Sequence, residues 1–276
     1  MIASVYKLCI NRQAKIQALY KSTITLRYCT SEDYVRIMPL GSLEQPSQTT
    51  LATRKGIAWG LDGPTEDSSV LVTGTPSKWY IDIRFSLQGS STEGPFWAFS
   101  GQAKYAPLHS DESASEGLSS GWGQAMRGEW AHPIDSMGNL DGVDRADIFT
   151  LVNGDQVEFG TLEHPDTGKL TLFKEYWTKP EKTESAEEYA RAVFEEDGQI
   201  KGMMIRVGRW MQGIIQISKT EVKVGRWQKD EEWQADKLSP HETEETFPRE
   251  WLSQTRKVGD ATTHTGRHWT VVESSS

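Results

Sequence analysis

The sequence predicts a mainly β protein, built as two antiparallel β-barrels in tandem behind a poorly ordered N-terminal arm. Three observations predict it. After about residue 50, short apolar or alternating runs recur at roughly 8–12-residue spacing, with turn signals between them. Long helical periodicity is missing from the chain. The runs number about a dozen, more than one eight-stranded barrel uses. A division near residue 168 therefore gives an arm over residues 1–50, a first barrel over 51–168 and a second over 169–276.

The arm ends in the polar run Gln45-Pro46-Ser47-Gln48-Thr49-Thr50, read as a linker. Ser69-Val70-Leu71-Val72-Thr73 is a compact β-branched strand. Trp79 to Phe85 alternates: Ile81, Ile83 and Phe85 share one face, Tyr80, Asp82 and Arg84 the other. Phe96 to Gly101 is an aromatic strand, and residues 107–123, rich in Ser, Gly and acid, form a long loop. Glu129 to Asp135 resumes strand character with a break near Pro133. Asn153-Gly154, between Asp147–Val152 and Asp155–Phe159, is a hairpin turn, because both residues accept positive φ. His164-Pro165-Asp166-Thr167-Gly168 is a second turn, leading into Leu170 to Trp177. Residues 179–188 form a charged loop. Strands follow over 189–195, 201–207, 210–218 and 221–227, then a short helix near Phe247–Leu252 and a closing strand from Arg267 to Glu273.

Composition narrows the function. The formal charge is -9, and no concentrated basic run is present, so neither nucleic acid nor an anionic membrane surface is an expected partner. No stretch approaches the ~20 apolar residues of a membrane span. The 11 Trp, 8 Tyr and 8 Phe supply large apolar faces that suit both cores and ligand pockets. Two cysteines, Cys9 and Cys29, both in the arm, fit a reducing compartment, and a cytoplasmic location is expected. Lys7, Arg12 and Lys15 interrupt the early apolar runs, against a secretory signal. The arm's five basic residues before Glu32, with no acid among them, also suit a mitochondrial transit segment.

The motifs of common catalytic sites are missing from the sequence. It holds no Gly-x-Ser-x-Gly elbow and no phosphate loop ending in Gly-Lys-Ser/Thr, and Gly121-Trp122-Gly123 is too short for a dinucleotide fingerprint. His264 and His268 flank Thr265-Gly266, a turn rather than a helical metal pair. No metal and no cofactor are expected. Acidic runs such as Asp230-Glu231-Glu232 read as solvated faces. Asp82 and Asp135 stand among apolar residues, and Asp82 is placed to pair with Arg84 on the same strand face.

Several segments resemble a fungal family of lipocalin-like proteins, the Hri type, named for interaction with a casein-type kinase. They are Arg54 to Gly60, Tyr80 to Arg84, Phe96 to Gly101, His132 to Ser136, Asn153 to Gly160 with His164 to Gly168, Glu175 to Trp177, and Gly202 to Gly208 with Gln212-Gly213. The signal is their order. The resemblance implies two lipocalin-like barrels. It extends to fungal hetero-Diels–Alderases of secondary metabolism, which join a tropolone quinone methide to a sesquiterpene such as humulene in meroterpenoid biosynthesis. The long arm, the expanded Ser/Gly loop and Arg209-Trp210-Met211 depart from the housekeeping members.

A pericyclic reaction needs two apolar reactants held in one geometry, which alone can contribute roughly 7–11 kcal/mol. Hydrogen-bond donors aimed at a carbonyl add to this. Trp97, Phe99, Trp130, Trp177 and Trp210 are the candidate substrate-binding walls, and Arg84, His132, Arg206 and Gln212 the candidate catalytic donors. The expectation is a cofactor-free pericyclase acting on apolar small molecules. The alternatives are a non-catalytic lipocalin-like protein that binds a ligand or a kinase, and an isomerase using Asp82 or His132 as acid or base.

Overall fold

The computed structural model describes residues 48–88, 97–108, 125–180, 188–240 and 243–276. Residues 1–47 of the expected arm, with both cysteines, residues 109–123 of the expected Ser/Gly-rich loop and residues 181–187 of the charged loop lie outside the described residues.

The first sheet comprises β1 (Thr50–Trp59), β2 (Ser68–Gly74), β3 (Trp79–Ser86), β4 (Trp97–Pro107), β5 (Ala125–Ala131), β6 (Ile134–Asp135), β7 (Val143–Thr150), β8 (Gln156–Glu163) and β9 (Leu170–Thr178). Its order is β3-β2-β1-β9-β8-β7-β5-β4-β6, and β3 also pairs with β4. Eight strands thus close into an up-and-down barrel, with β6 a short addition beside β4. Pro133 interrupts the chain between β5 and β6, as expected. The closure corrects the division near residue 168. The segment His164–Gly168 is a turn, but it joins β8 to β9, and β9 pairs with both β8 and β1. Without β9 the barrel would retain two open edges, so the sheet ends at Thr178. The Asn153-Gly154 turn also differs in detail. Leu151 N–H donates to the Asp155 carbonyl at 2.7 Å, and of the two turn residues only Gly154 takes a positive φ, +86°.

The second sheet comprises β10 (Tyr189–Glu196), β11 (Gln199–Val207), β12 (Trp210–Gln216), β13 (Val222–Lys229), β14 (Trp233–Ala235), β15 (Ala261–His264) and β16 (Arg267–Ser274), in the order β14-β13-β12-β11-β10-β16-β15. It is a curled half-barrel: the short end strands β14 and β15 do not pair with each other. Two helical turns, α1 (Thr243–Thr246) and α2 (Arg249–Leu252), precede β15. Phe247 and Leu252 fill the space a closed barrel would leave. They pack with Met204, Met211, Trp227, Trp269 and Val271. Gly213 makes this possible, since a Cβ there would stand 2.7 Å from the Phe247 ring.

The two sheets share a core. Ile81, Ile83 and Phe85 point away from the barrel lumen and meet Met203, Ile205, Val207 and Ile214 of the second sheet. Each such side chain withdrawn from water contributes about 1.5–3 kcal/mol. Hydrogen bonds frame the apolar contact. Arg226 Nη2 donates to the Ile83 carbonyl at 2.5 Å, and Gln212 Nε2 to the Leu71 carbonyl at 3.1 Å. The Gln216 side chain accepts from Asp135 N–H at 3.0 Å. Because β3 gives its aliphatic face to this contact, its other face, Tyr80, Asp82 and Arg84, lines the lumen.

Candidate functional site

The lumen and its open mouth, which reaches the Asp62–Thr65 loop and the His164–Asp166 turn, form a cavity of about 1160 Å³. Strand alternation sends one side chain in two inward, and a bulge adjusts the count on β1. The register of β1 against β9 shifts between Arg54 and Gly56, so Arg54 and then Ile57 and Trp59 all face in. Val72, Tyr80, Trp97, Phe99, Trp130, Ile148, Phe173 and Trp177 supply the apolar wall. Tyr80 meets Phe99 edge to face and Trp97 meets it at a tilt, with ring centroids 6.0 and 4.4 Å apart.

A charged belt crosses this wall. Arg54 donates to Glu175 Oε1 from Nη1 at 2.5 Å and to Glu66 from Nε and Nη2, both at 2.9 Å. Arg84 donates to Asp82 from Nη2 at 2.9 Å, as the sequence predicts, and to Glu175 Oε1 from Nη1 at 3.5 Å. Its guanidinium lies 4.7 Å from the Trp97 centroid and 5.4 Å from that of Phe99. Burial alone would lower both arginine pKa values. The acidic partners outweigh it, Glu66 and Glu175 at Arg54, Asp82 and Glu175 at Arg84, and both values rise. Glu175 thus joins both arginines, which come from strands distant in sequence.

Glu158 stands directly opposite Glu175 across the β8–β9 pair, on the lumen side. Like charges in that position repel. Burial first, then Glu175, raise the Glu158 pKa well above the usual carboxylate range; Arg84 pulls the other way.

His132 lies behind the wall, fully buried, 4.8 Å from the Phe99 ring. It contacts Asp135 at 3.4 Å and Asp144 at 3.3 Å, as ion pairs rather than aligned hydrogen bonds. Burial opposes its charge, but the two carboxylates outweigh burial and push the imidazole up to about 9. Asp135 also accepts from Trp97 Nε1 at 3.1 Å, so this cluster orients the wall.

The structure brings together five of the residues named from sequence: Arg84, Trp97, Phe99, Trp130 and Trp177 all line the lumen. Three others lie elsewhere. Gln212 is committed between the sheets, and Trp210 packs beside the shared core. Arg206 donates to the Ser253 carbonyl at 2.8 Å on the far face of the second sheet. Placing them together required a second hollow barrel, whereas the half-barrel is filled. Sequence reading missed Arg54, Glu158 and Glu175. The Gln156 to Phe159 alternation could have placed Glu158 on a face apart from Val157 and Phe159. No local pattern could have paired Arg54 with Glu175.

Among the described residues, no group of three or more His, Cys, Asp or Glu is placed to hold a metal ion, and no helix is long and apolar enough to cross a membrane.

A closed eight-stranded up-and-down barrel around a hollow, aromatic-walled lumen defines a lipocalin-like class of protein. The Protein HRI1 family model matches residues 50–273, and the chain belongs to that family. It is similar in fold to the crystal structure of the uncharacterized protein YLR301w from Saccharomyces cerevisiae. The TM-score is 0.63 at 18% identity, over 82% of this chain and 99% of that one. No curated protein matches the chain.

Proposed function

We propose that the lumen of the first barrel binds apolar small molecules, with Trp97, Phe99, Trp130 and Trp177 as the contact walls and Arg84 in the polar floor. The observation that carries this reading is the hollow itself: about 1160 Å³ with its mouth, walled by aromatic rings, in a molecule whose other sheet is filled. Pockets for one drug-sized ligand measure ~300–1,000 Å³. The lumen with its mouth is large enough for such a ligand.

The resemblance of the sequence to fungal hetero-Diels–Alderases extends the proposal to catalysis. In this reading the protein holds a tropolone quinone methide against a sesquiterpene such as humulene, and proximity supplies most of the acceleration. The Arg84 hydrogen bonds to Asp82 and Glu175 make it a fixed element of the floor. Neither Arg206 nor Gln212 has a part in the reaction as proposed. Incubating the purified protein with a quinone-methide precursor and humulene tests it. Adduct formed faster and with one stereochemistry supports the proposal; yield and stereochemistry equal to the protein-free control end the catalytic reading.

A further inference from the structure

Among the described residues, two neighbouring polar groups of the lumen wall, the Glu158 carboxyl and the Trp177 indole N–H, have no hydrogen-bond partner. Glu158 makes no hydrogen bond or ion pair among the described residues, although it faces the lumen between β7 and β9. The Trp177 indole N–H, on a residue only 8% exposed, is also without an acceptor. The two are neighbours. In the β8–β9 register Gln156 stands opposite Trp177 and Glu158 opposite Glu175. Glu158 and Trp177 are therefore diagonal on one face, within reach of long side chains. The other charges there are already engaged: Glu175 by two arginines, and Arg84 by Asp82 and Glu175.

We infer that Glu158 and Trp177 form the polar end of the ligand site and both donate hydrogen bonds to one ligand carbonyl oxygen. The ligand class is then an apolar molecule with a neutral carbonyl, as a ketone or quinone methide has, and a carboxylate is rejected by the acidic surroundings. This deepens the proposed lumen site and rests on it. Charge at Glu158 is opposed from three directions, by Glu175 on β9, Asp82 on β3 and Asp144 on β7, with Arg84 the counterweight and Tyr105 nearby. Like charges on three sides favour the protonated form of this carboxyl group, and in that form it is a hydrogen-bond donor.

The test uses two neutral fluorophores with the full chain: prodan, a naphthyl ketone, and diphenylhexatriene, a hydrocarbon. Wild type is expected to bind both, and to lose prodan alone as rising pH ionises Glu158. Loss of one donor lowers the ratio of prodan to diphenylhexatriene affinity, about tenfold in Glu158→Leu and severalfold in Trp177→Phe, whatever either change does to the apolar wall itself. Glu158→Gln, which keeps an N–H donor, retains prodan within about twofold and removes the pH dependence. An unchanged ratio in Glu158→Leu and Trp177→Phe overturns the inference while leaving the lumen as a binding site. If Glu158→Leu does not fold, an unchanged ratio in Trp177→Phe is sufficient to overturn it. Failure of wild type to bind either probe overturns the lumen reading and this inference together.

Discussion

The first barrel and the half-barrel use the same strand grammar to opposite ends. In the barrel, eight strands close around a lumen that keeps Arg54, Asp82, Arg84, Glu158 and Glu175 among its aromatic rings. In the half-barrel, the concave face carries Met204, Met211, Trp227 and Trp269, and Phe247 and Leu252 occupy the remaining space. A space built to stay open needs fixed polar groups and a rigid wall. A space that only stabilises the fold is filled. The half-barrel supports the barrel from outside, by covering the aliphatic face of β3.

Two substitutions of similar cost separate these roles. Phe247→Ala should destabilise the protein by about 3–5 kcal/mol in urea unfolding, as expected for an aromatic lost from a packed core, with diphenylhexatriene affinity unchanged. Glu175→Ala should cost about as much, ~3–5 kcal/mol, because it leaves two buried arginines short of a partner. It should also change probe binding. An equal effect of both variants on binding would break the comparison.

A slightly smaller effect comes from His132. Its pKa is raised in the fold, so its pairing with Asp135 and Asp144 stabilises fully below about pH 6.5 and is lost as pH rises through about 9. The contribution is on the order of 3 kcal/mol. The stability gap between wild type and His132→Gln should close over that window in urea titrations; a pH-independent gap would mean the histidine is uncharged in the fold.

The smallest effect is at the contact between sheets. Gln212→Ala removes the hydrogen bond to the Leu71 carbonyl and should cost about 1 kcal/mol in thermal or urea unfolding. Probe affinity should not change. A binding defect there would return Gln212 to the site.

Much of the strand pattern was legible in the sequence, and the alternation of Trp79 to Phe85 set out its two faces correctly. Which face was inside was not legible. Ile81, Ile83 and Phe85 look like the filling of a barrel, yet they pack outward, because a second sheet covers them. The aromatic wall was readable because Trp and Phe cluster on β4 and β9. The charged belt was not, because its central bond joins residues 121 apart, and a β1 bulge decides that Arg54 faces in.

The central claim is that the ligand space lies in the first barrel alone. Titration of diphenylhexatriene into Trp97→Ala and Trp210→Ala, each against wild type, tests it most directly. The account predicts about tenfold weaker binding for Trp97→Ala, which removes part of the lumen wall, and wild-type affinity for Trp210→Ala. Weakened binding in Trp210→Ala with Trp97→Ala unaffected would contradict it.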